Sequence, residues 1–274
     1  MLRAPAPAKL NLALVVGPRL DGGKHEVATV LQRIDLGDRI TVARAPGPAL
    51  RVDGFAQDTI VRQALERLAD RAGVEPRWHA RIAKRIPVAA GLGGGSSDAA
   101  TALRLANETL PAPLPVDELG ALAAELGADV PFFLRPGPQL GSGDGSLLEP
   151  LALPQDFWVL LILPRGSRKP STAEVYRRFD RRDGARGFGE RRDALLAALR
   201  DCRRARDLAL LPGNDLASSP LAGRLRELGA LRADVSGAGP AVYGLFLHRR
   251  HAVAARRALR AVGRSWLTVP AWYG

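Results

Sequence analysis

Residues 86–100 constrain the fold more than any other stretch of the sequence; they read Ile-Pro-Val-Ala-Ala-Gly-Leu-Gly-Gly-Gly-Ser-Ser-Asp-Ala-Ala. A strand-like alternation over 78–86 leads into the glycines, and an alanine-rich pattern over 96–107 predicts a helix directly after them. Glycines allow positive φ angles and the close approach of a ligand to the backbone. The start of the helix adds unpaired N–H groups and the positive end of a dipole, so the segment is predicted to bind an anion, most usefully a polyphosphate.

Two other interpretations of this loop are a Walker A loop and an ordinary glycine-rich turn. A Walker A loop requires Gly-Lys-Ser/Thr at its end, and the sequence has Gly95-Ser96-Ser97 there instead. An ordinary glycine-rich turn, capped by the hydroxyl of Ser96 or Ser97, is the remaining alternative. The choice between that turn and a phosphate site depends on the rest of the chain.

Two further motifs flank the loop along the chain. Residues 7–12 read Pro-Ala-Lys-Leu-Asn-Leu, and residues 234–240 read Asp-Val-Ser-Gly-Ala-Gly-Pro. Together with the glycine loop they resemble the three motifs of the GHMP kinases, a family of ATP-dependent small-molecule kinases. The resemblance implies an α+β protein with two lobes and the active site between them. Residues 1–150 would form a lobe similar to domain 2 of ribosomal protein S5, and residues 151–274 a ferredoxin-like lobe.

The resemblance also implies which residues bind ATP. The loop is expected to hold the triphosphate, and Mg²⁺ is expected with it because phosphoryl transfer needs charge neutralisation. The sequence offers no all-protein metal cage, which fits a Mg²⁺ held largely by nucleotide and water. The residues predicted to contact ATP are Pro87, Gly91, Leu92, Gly93, Gly94, Gly95, Ser96 and Ser97.

Lys9 and Asp129 are the predicted catalytic pair. Only four of the 40 basic residues are lysines, so Lys9 in the first motif suggests a compact ammonium selected over the prevailing arginine. Asp129 follows a predicted helix over 117–126, for which Asp117 is the expected cap. By resemblance, Asp129 faces the acceptor hydroxyl beside Lys9, orients that hydroxyl first and accepts its proton late. The alternatives are an ordinary surface lysine and a carboxylate that only caps the following segment.

The predicted substrate is an alcohol that carries a cytidine diphosphate group. Four segments resemble GHMP kinases of that specificity: 21–26, 93–98, 126–133 and 214–216. By this resemblance the substrate contacts are Asn11, His25, Thr172 and Tyr176. Lys24 stands where those kinases usually have a tyrosine, so Tyr176 is expected to stack on the cytosine without a second ring. A GHMP kinase of the homoserine or mevalonate type remains the alternative.

Charge raises an alternative of a different class. The net charge is +12, and arginines concentrate over 177–206, where a helix is predicted over 191–209. Such a surface could bind RNA through an S5-like lobe. The stretch has no RNP-like pattern and no zinc ligands, so we expect a solvated face that steers anionic small molecules and no specific nucleic-acid partner.

Cysteine usage and hydropathy indicate the compartment. The single Cys202 excludes an internal disulfide and fits a reducing environment. No apolar run approaches the ~18 residues of a membrane span. The sequence therefore predicts a cytoplasmic protein with no membrane partner.

Overall fold

The computed structural model describes residues 1–58, 60–167 and 171–271. In the first half of the chain, long apolar and β-branched runs form strands, and amphipathic or alanine-rich segments form helices over one face of the sheet. The elements are β1 (Leu2–Arg19), β2 (His25–Arg44), β3 (Leu50–Asp53), α1 (Ile60–Ala72), β4 (Trp78–Ala83), α2 (Gly94–Asn107), α3 (Val116–Leu126), a 3-10 helix (Pro131–Leu134), β5 (Gln139–Ser142) and β6 (Leu147–Pro150).

β2 is the central strand of a six-stranded sheet. It pairs with β1 along most of its length, and with β4 and β5 on its other side. β3 lies parallel to β4, and β6 pairs with β5. Alternate residues of β1, β2 and β4, such as Ala6, Ile40 and Ile82, form a buried apolar core with α1 and α2. This packing fixes the two ends of the glycine loop, which connects β4 to α2.

The second half folds around a four-stranded antiparallel sheet. The strand order is β10-β7-β9-β8, which is the order of a ferredoxin-like sheet, and the predicted two-lobed α+β class is confirmed. The division of the chain at residue 150 stays a prediction. The elements are β7 (Trp158–Pro164), α4 (Thr172–Arg181), α5 (Phe188–Asp201), a 3-10 helix (Ala205–Leu210), α6 (Pro220–Glu227), β8 (Arg232–Val235), β9 (Val242–Phe246), α7 (Arg249–Ala258) and β10 (Gly263–Thr268).

The two sheets share one apolar core. Leu12 of β1, Leu161 of β7 and Tyr243 of β9 belong to the same buried cluster. The buried hydroxyl of Tyr243 donates to the carbonyl oxygen of Asn11 at 3.1 Å, so even the polar atom of this ring joins the lobes. Each fully buried leucine contributes roughly 1.5–3 kcal/mol of hydrophobic stabilisation. We therefore expect the lobes to unfold together.

The predicted strand over 78–86 is too long. β4 ends at Ala83, because the backbone N–H groups of Arg85 and Ile86 donate to the buried carboxylate of Asp38 instead of to a neighbouring strand. The predicted cap of α3 is also wrong. That helix begins at Val116 after Pro115, and Asp117 lies in its first turn, where a carboxylate suits the helix dipole.

The predicted helix over 191–209 is broken in two. α5 begins earlier and ends at Asp201, and the 3-10 helix follows. The break arises because Asp207 accepts hydrogen bonds from the backbone N–H groups of Arg203 and Arg204, which caps a new helical segment there. The sequence patterns did not predict β3, β5, β6, α4 or β10. Within the described part of the chain, no helix has the length and apolar character needed to cross a membrane.

Candidate active site

A cavity of about 490 Å³ lies between the two lobes. The structure brings all but two of the predicted site residues to its wall. Ser97 and His25 are buried outside that wall. Phe55, Lys84 and Asp98 also line the cavity, although the sequence analysis did not select them. The predicted residues on the wall are Lys9, Asn11, Pro87, Gly91, Leu92, Gly93, Gly94, Gly95, Ser96, Asp129, Thr172 and Tyr176.

The first turn of α2 opens onto this cavity. Its N-cap is Gly93, which has a φ of 67° that favours glycine, and no side chain of the described residues caps the helix. The alternative in which Ser96 or Ser97 caps the helix is therefore wrong. With no capping side chain, the first N–H groups of α2 remain available to an anionic ligand at the positive end of the dipole. This geometry suits a chain of phosphates.

The three sequence motifs meet at the glycine loop. Gly91 has a φ of 83°, and an added Cβ would overlap the carbonyl oxygen of Ser236 and stand 2.8 Å from the Cα of Gly239. The Ser236 hydroxyl donates to the carbonyl oxygen of Gly91 at 3.0 Å. The backbone N–H of Lys9 donates to the carbonyl oxygen of Leu92 at 2.9 Å. The loop is thus held by hydrogen bonds from both lobes.

Lys9 and Asp129 form an ion pair inside the cavity. The pairing of β1 with β2 shifts register on both sides of Lys9, and such bulges re-aim side chains. Lys9 Nζ lies 3.3 Å from Asp129 Oδ2 and donates to Asn11 Oδ1 at 2.7 Å. The Lys9 side chain is 6% exposed and that of Asp129 is 42% exposed. A buried ammonium therefore anchors a carboxylate that stays open to the cavity, where a hydroxyl could bind.

Arg33 fixes the segment that follows Asp129, although no sequence motif contains it. Its buried guanidinium donates to the carbonyl oxygen of Phe132 at 2.7 Å and also to that of Arg135. It lies 5.1 Å from the centre of the Phe132 ring, within cation–π range. Burial lowers the pKa of Arg33 to about 10, so the guanidinium stays charged at neutral pH. One arginine among many gave no sequence signal for this role.

Tyr176, on the cavity wall, packs against His25 behind it. Their ring centres are 4.7 Å apart with an interplanar angle of 26°. His25 Nε2 lies 2.6 Å from Asp180 Oδ1, so one ring nitrogen is already engaged. His25 thus supports the Tyr176 ring, and the stacking of Tyr176 on a cytosine stays a prediction. Burial and the nearby charge of Asp129 raise the pKa of Tyr176 to about 12, which keeps its hydroxyl neutral.

An ion pair occupies the position where an aromatic ring was expected. Lys24 Nζ lies 2.6 Å from Asp144 Oδ2, and Asp144 is on the cavity wall. The hydrogen bond from Lys24, followed by one from Ser146, lowers the pKa of Asp144 to about 2. Lys24 thus bridges two turns of the first lobe and does not stack.

The arginines over 177–206 form a largely exposed face. Arg177, Arg178 and Arg181 all pair with Glu174 while their side chains stay at least 60% exposed. Arg191 is the exception. It is half-buried, lies 3.1 Å from Asp215, and donates to the carbonyl oxygen of Val16 at 3.1 Å. Most of the other arginines in the stretch are exposed, so their charges can act at long range.

RNA binding by this face should be weak and independent of sequence. Exposed arginines interact with phosphates mainly by releasing counterions, so affinity should fall steeply as salt rises. Fluorescence anisotropy with two unrelated RNA oligonucleotides over a salt series would measure this. A tight, sequence-selective complex at physiological salt would instead support the RNA-binding alternative.

Known proteins resemble the chain over nearly its whole length. Sequence profiles for the GHMP kinases N terminal domain and the GHMP kinases C terminal match residues 59–137 and 218–265. A 4-diphosphocytidyl-2-C-methyl-D-erythritol kinase of Anaeromyxobacter sp. (strain Fw109-5) is 41% identical, covering 95% of this chain and 86% of the relative. The kinase of the same name from Salinispora arenicola (strain CNS-205) is 40% identical, covering 87% and 81%.

Solved structures agree with the sequence comparison. The crystal structure of a 4-(cytidine 5'-diphospho)-2C-methyl-D-erythritol kinase matches with a TM-score of 0.79 and 34% identity over all of both chains. A mevalonate kinase shares the fold, with a TM-score of 0.78 at 16% identity over 98% of this chain and 99% of the other. Because the 40–41% identical relatives align over most of both chains, this protein is a GHMP kinase and belongs to the family of the 4-diphosphocytidyl-2-C-methyl-D-erythritol kinases.

Proposed function

We propose that this ATP-dependent kinase phosphorylates a hydroxyl of 4-diphosphocytidyl-2-C-methyl-D-erythritol, a step in making isoprenoid precursors. The observation that carries the proposal is the Lys9–Asp129 pair, which lines the same cavity as the glycine loop and Tyr176. Relatives named for this substrate, at 34–41% identity, support the specificity. Residues 1–150 would form the lobe that holds the phosphates, and residues 151–274 the lobe that carries Tyr176.

Asp129 and Lys9 divide the chemistry between them. The acceptor hydroxyl attacks the γ-phosphorus, the bond from that phosphorus to the β–γ bridging oxygen breaks, and ADP leaves. Asp129 accepts a hydrogen bond from the hydroxyl, orients it, and takes its proton late, because the transition state of phosphoryl transfer is loose. Lys9 stabilises the negative charge that gathers around the transferred group.

The glycine loop and the start of α2 hold the triphosphate in line with that hydroxyl. Ser96 adds a hydroxyl on the cavity wall. Within the described residues, no group of three or more His, Cys, Asp or Glu side chains could form a metal cage. This donor set fits a Mg²⁺ that the protein holds through the phosphates and water. When bound, the ion would neutralise charge on the phosphoryl oxygens.

A GHMP kinase acting on a simpler alcohol is the second candidate. The observation that favours it is Lys24, whose ion pair with Asp144 replaces a stacking ring. The stack of His25 on Tyr176 favours the cytidine compound, because a base that enters the cavity can lie against an aromatic surface already held in place. We further propose that the enzyme works in the cytoplasm, which its single buried Cys202 supports.

A panel of acceptors separates these two candidates. We expect phosphorylation of the cytidine compound, measured by coupled ADP release, and little turnover of homoserine or mevalonate. Tyr176→Ala should raise KM for the cytidine compound about 5–150-fold, since stacking of a base on an aromatic ring is worth about 1–3 kcal/mol. The KM for ATP should change little. Preferred turnover of homoserine or mevalonate would refute the substrate assignment and leave the family intact.

A further inference from the structure

Lys84 is clamped between two buried carboxylates beneath the glycine loop. Its ammonium bonds to Asp38, which comes from β2, and lies 2.8 Å from Oδ2 of Asp98, which is in the first turns of α2. The side chains of Asp38 and Asp98 are at most 2% exposed, and that of Lys84 is 16% exposed. Lys84 itself follows β4. One ammonium thus ties three separate elements of the first lobe together at one point.

This clamp touches the wall on which phosphates would rest. Lys84 Nζ lies 3.3 Å from the position of a Cβ built on Gly94, the first residue of α2. The same Nζ lies 5.5 Å from the centre of the Phe55 ring. Phe55, Lys84, Gly94 and Asp98 all line the active-site cavity. A shift of the ammonium would therefore move the start of α2 and one side of the nucleotide pocket.

The charges within the clamp do not balance if both carboxyl groups are ionised. Oδ1 of Asp98 is buried and has no hydrogen-bond partner among the described residues. Burial, and then the charge of Asp38, raise the pKa of Asp98 to about 8. Burial alone would lower the pKa of Lys84, but the two carboxylates reverse this and raise it. With Asp98 protonated, the clamp is neutral; with Asp98 ionised, it carries one negative charge directly below the loop.

Most other charged groups around α2 are paired elsewhere, and Asp58, also on the cavity wall, accepts hydrogen bonds from the backbone N–H groups of Val61 and Arg62. The ion pairs on the neighbouring elements are Arg62–Glu66 on α1, Arg67 and Arg71 with Glu125 of α3, Arg104–Glu108 at the end of α2, and Lys9–Asp129 across the cavity. Asp38 and Lys84 are the charged groups with which Asp98 interacts most strongly.

We propose that Lys84 is a positioning residue for the nucleotide. Held by Asp38 and Asp98, it supports Gly94 from below and keeps the base of the phosphate site free of net negative charge. The proposal rests on the ATP site and is independent of the acceptor alcohol. The scarcity of lysine agrees with it, because a planar guanidinium is larger than the compact ammonium that lies against Gly94.

Calorimetry with ATP alone tests the role of Lys84. Lys84→Met should raise the Kd for ATP by about tenfold or more, because loss of one partner leaves buried carboxylates uncompensated. The KM for ATP should rise in parallel, while kcat at saturating ATP falls much less. Arg67→Met, which breaks an exposed ion pair far from the cavity, is the matched control and should leave both constants unchanged. A folded Lys84→Met variant with wild-type Kd would overturn the proposal.

Two further variants keep the test decisive if Lys84→Met folds poorly. The double variant Lys84→Met/Asp98→Asn removes the uncompensated charge and should recover thermal stability, yet its Kd for ATP should stay raised. Wild-type Kd in the double variant would show that the clamp serves stability only.

In Asp98→Asn the amide cannot ionise, so ATP affinity should stay level as pH rises through about 8, where the ATP affinity of the wild type falls. Coinciding pH profiles would count against the charge argument. Because calorimetry uses no acceptor, the Kd results do not depend on the substrate assignment.

Discussion

Asp129→Asn should lower kcat by about 10²–10⁴-fold, the range typical of lost general-base catalysis. The amide keeps the shape of the carboxylate but can neither take the hydroxyl proton nor carry the charge that Lys9 Nζ meets at 3.3 Å. Steady-state kinetics would give kcat, and calorimetry would give the Kd for ATP. We expect the Kd to change little, because the glycine loop holds the phosphates from the other side.

The same substitution at Asp193 is the control for this experiment. Asp193 is 69% exposed and pairs only with its neighbour Arg192 among the described ion pairs, so Asp193→Asn should leave kcat unchanged. Near-wild-type turnover in Asp129→Asn would remove Asp129 from the proposed role. A large rise in the Kd for ATP in that variant would point to a structural role for the carboxylate.

Gly91→Ala should weaken ATP binding markedly. The methyl group would need a left-handed backbone at φ 83° and would overlap the Ser236 carbonyl oxygen, so the loop must shift. Backbone strain of about 1–3 kcal/mol corresponds to a loss of roughly 5–150-fold in affinity if binding must restore the native loop. Calorimetry would measure the affinity, and thermal melting would report the cost to stability.

Substitutions at Gly73 and Gly94 distinguish the effect of backbone strain from that of steric overlap. Gly73 also has a positive φ, 64°, but no described atom lies within 4 Å of a Cβ built there. Gly73→Ala should therefore lose stability through strain and keep its ATP affinity. Gly94 has an ordinary φ, and its Cβ would stand 3.2 Å from Ile86 Cγ2, so Gly94→Ala should weaken ATP binding less than Gly91→Ala. Equal ATP affinity in all three variants would contradict the assignment of the loop to phosphate.

The sequence predicts the parts of the site that depend on backbone chemistry. The run of glycines marks a loop that leads into a helix, and it predicts the position of α2 correctly. The ferredoxin-like sheet was expected from family resemblance, since short patterns such as β10 are too ambiguous to identify singly. Lys9 stood out because lysine is rare in this chain.

The sequence could not identify residues whose role depends on long-range contacts. Arg33 is one of 36 arginines, and only the fold places its guanidinium against the segment after Asp129. Lys84 is as rare a residue type as Lys9, but rarity alone does not reveal its partners. Asp38 lies 46 positions away, and no sequence spacing connects the two residues. α4 escaped prediction because only Val175 and Phe179 of its ten residues are buried.

The contact of Gly91 with Ser236 should delay ATP binding while the protein is being synthesised. The two residues are 145 positions apart, so the glycine loop leaves the ribosome long before its partner. At about 5–20 residues per second, the delay is roughly 7–30 s. During that time the loop lacks the Ser236 hydroxyl that holds it, so we expect ATP to stabilise the nascent chain little. Folding of the first lobe should therefore proceed without help from its own substrate, and chaperones rather than nucleotide should protect the growing polypeptide.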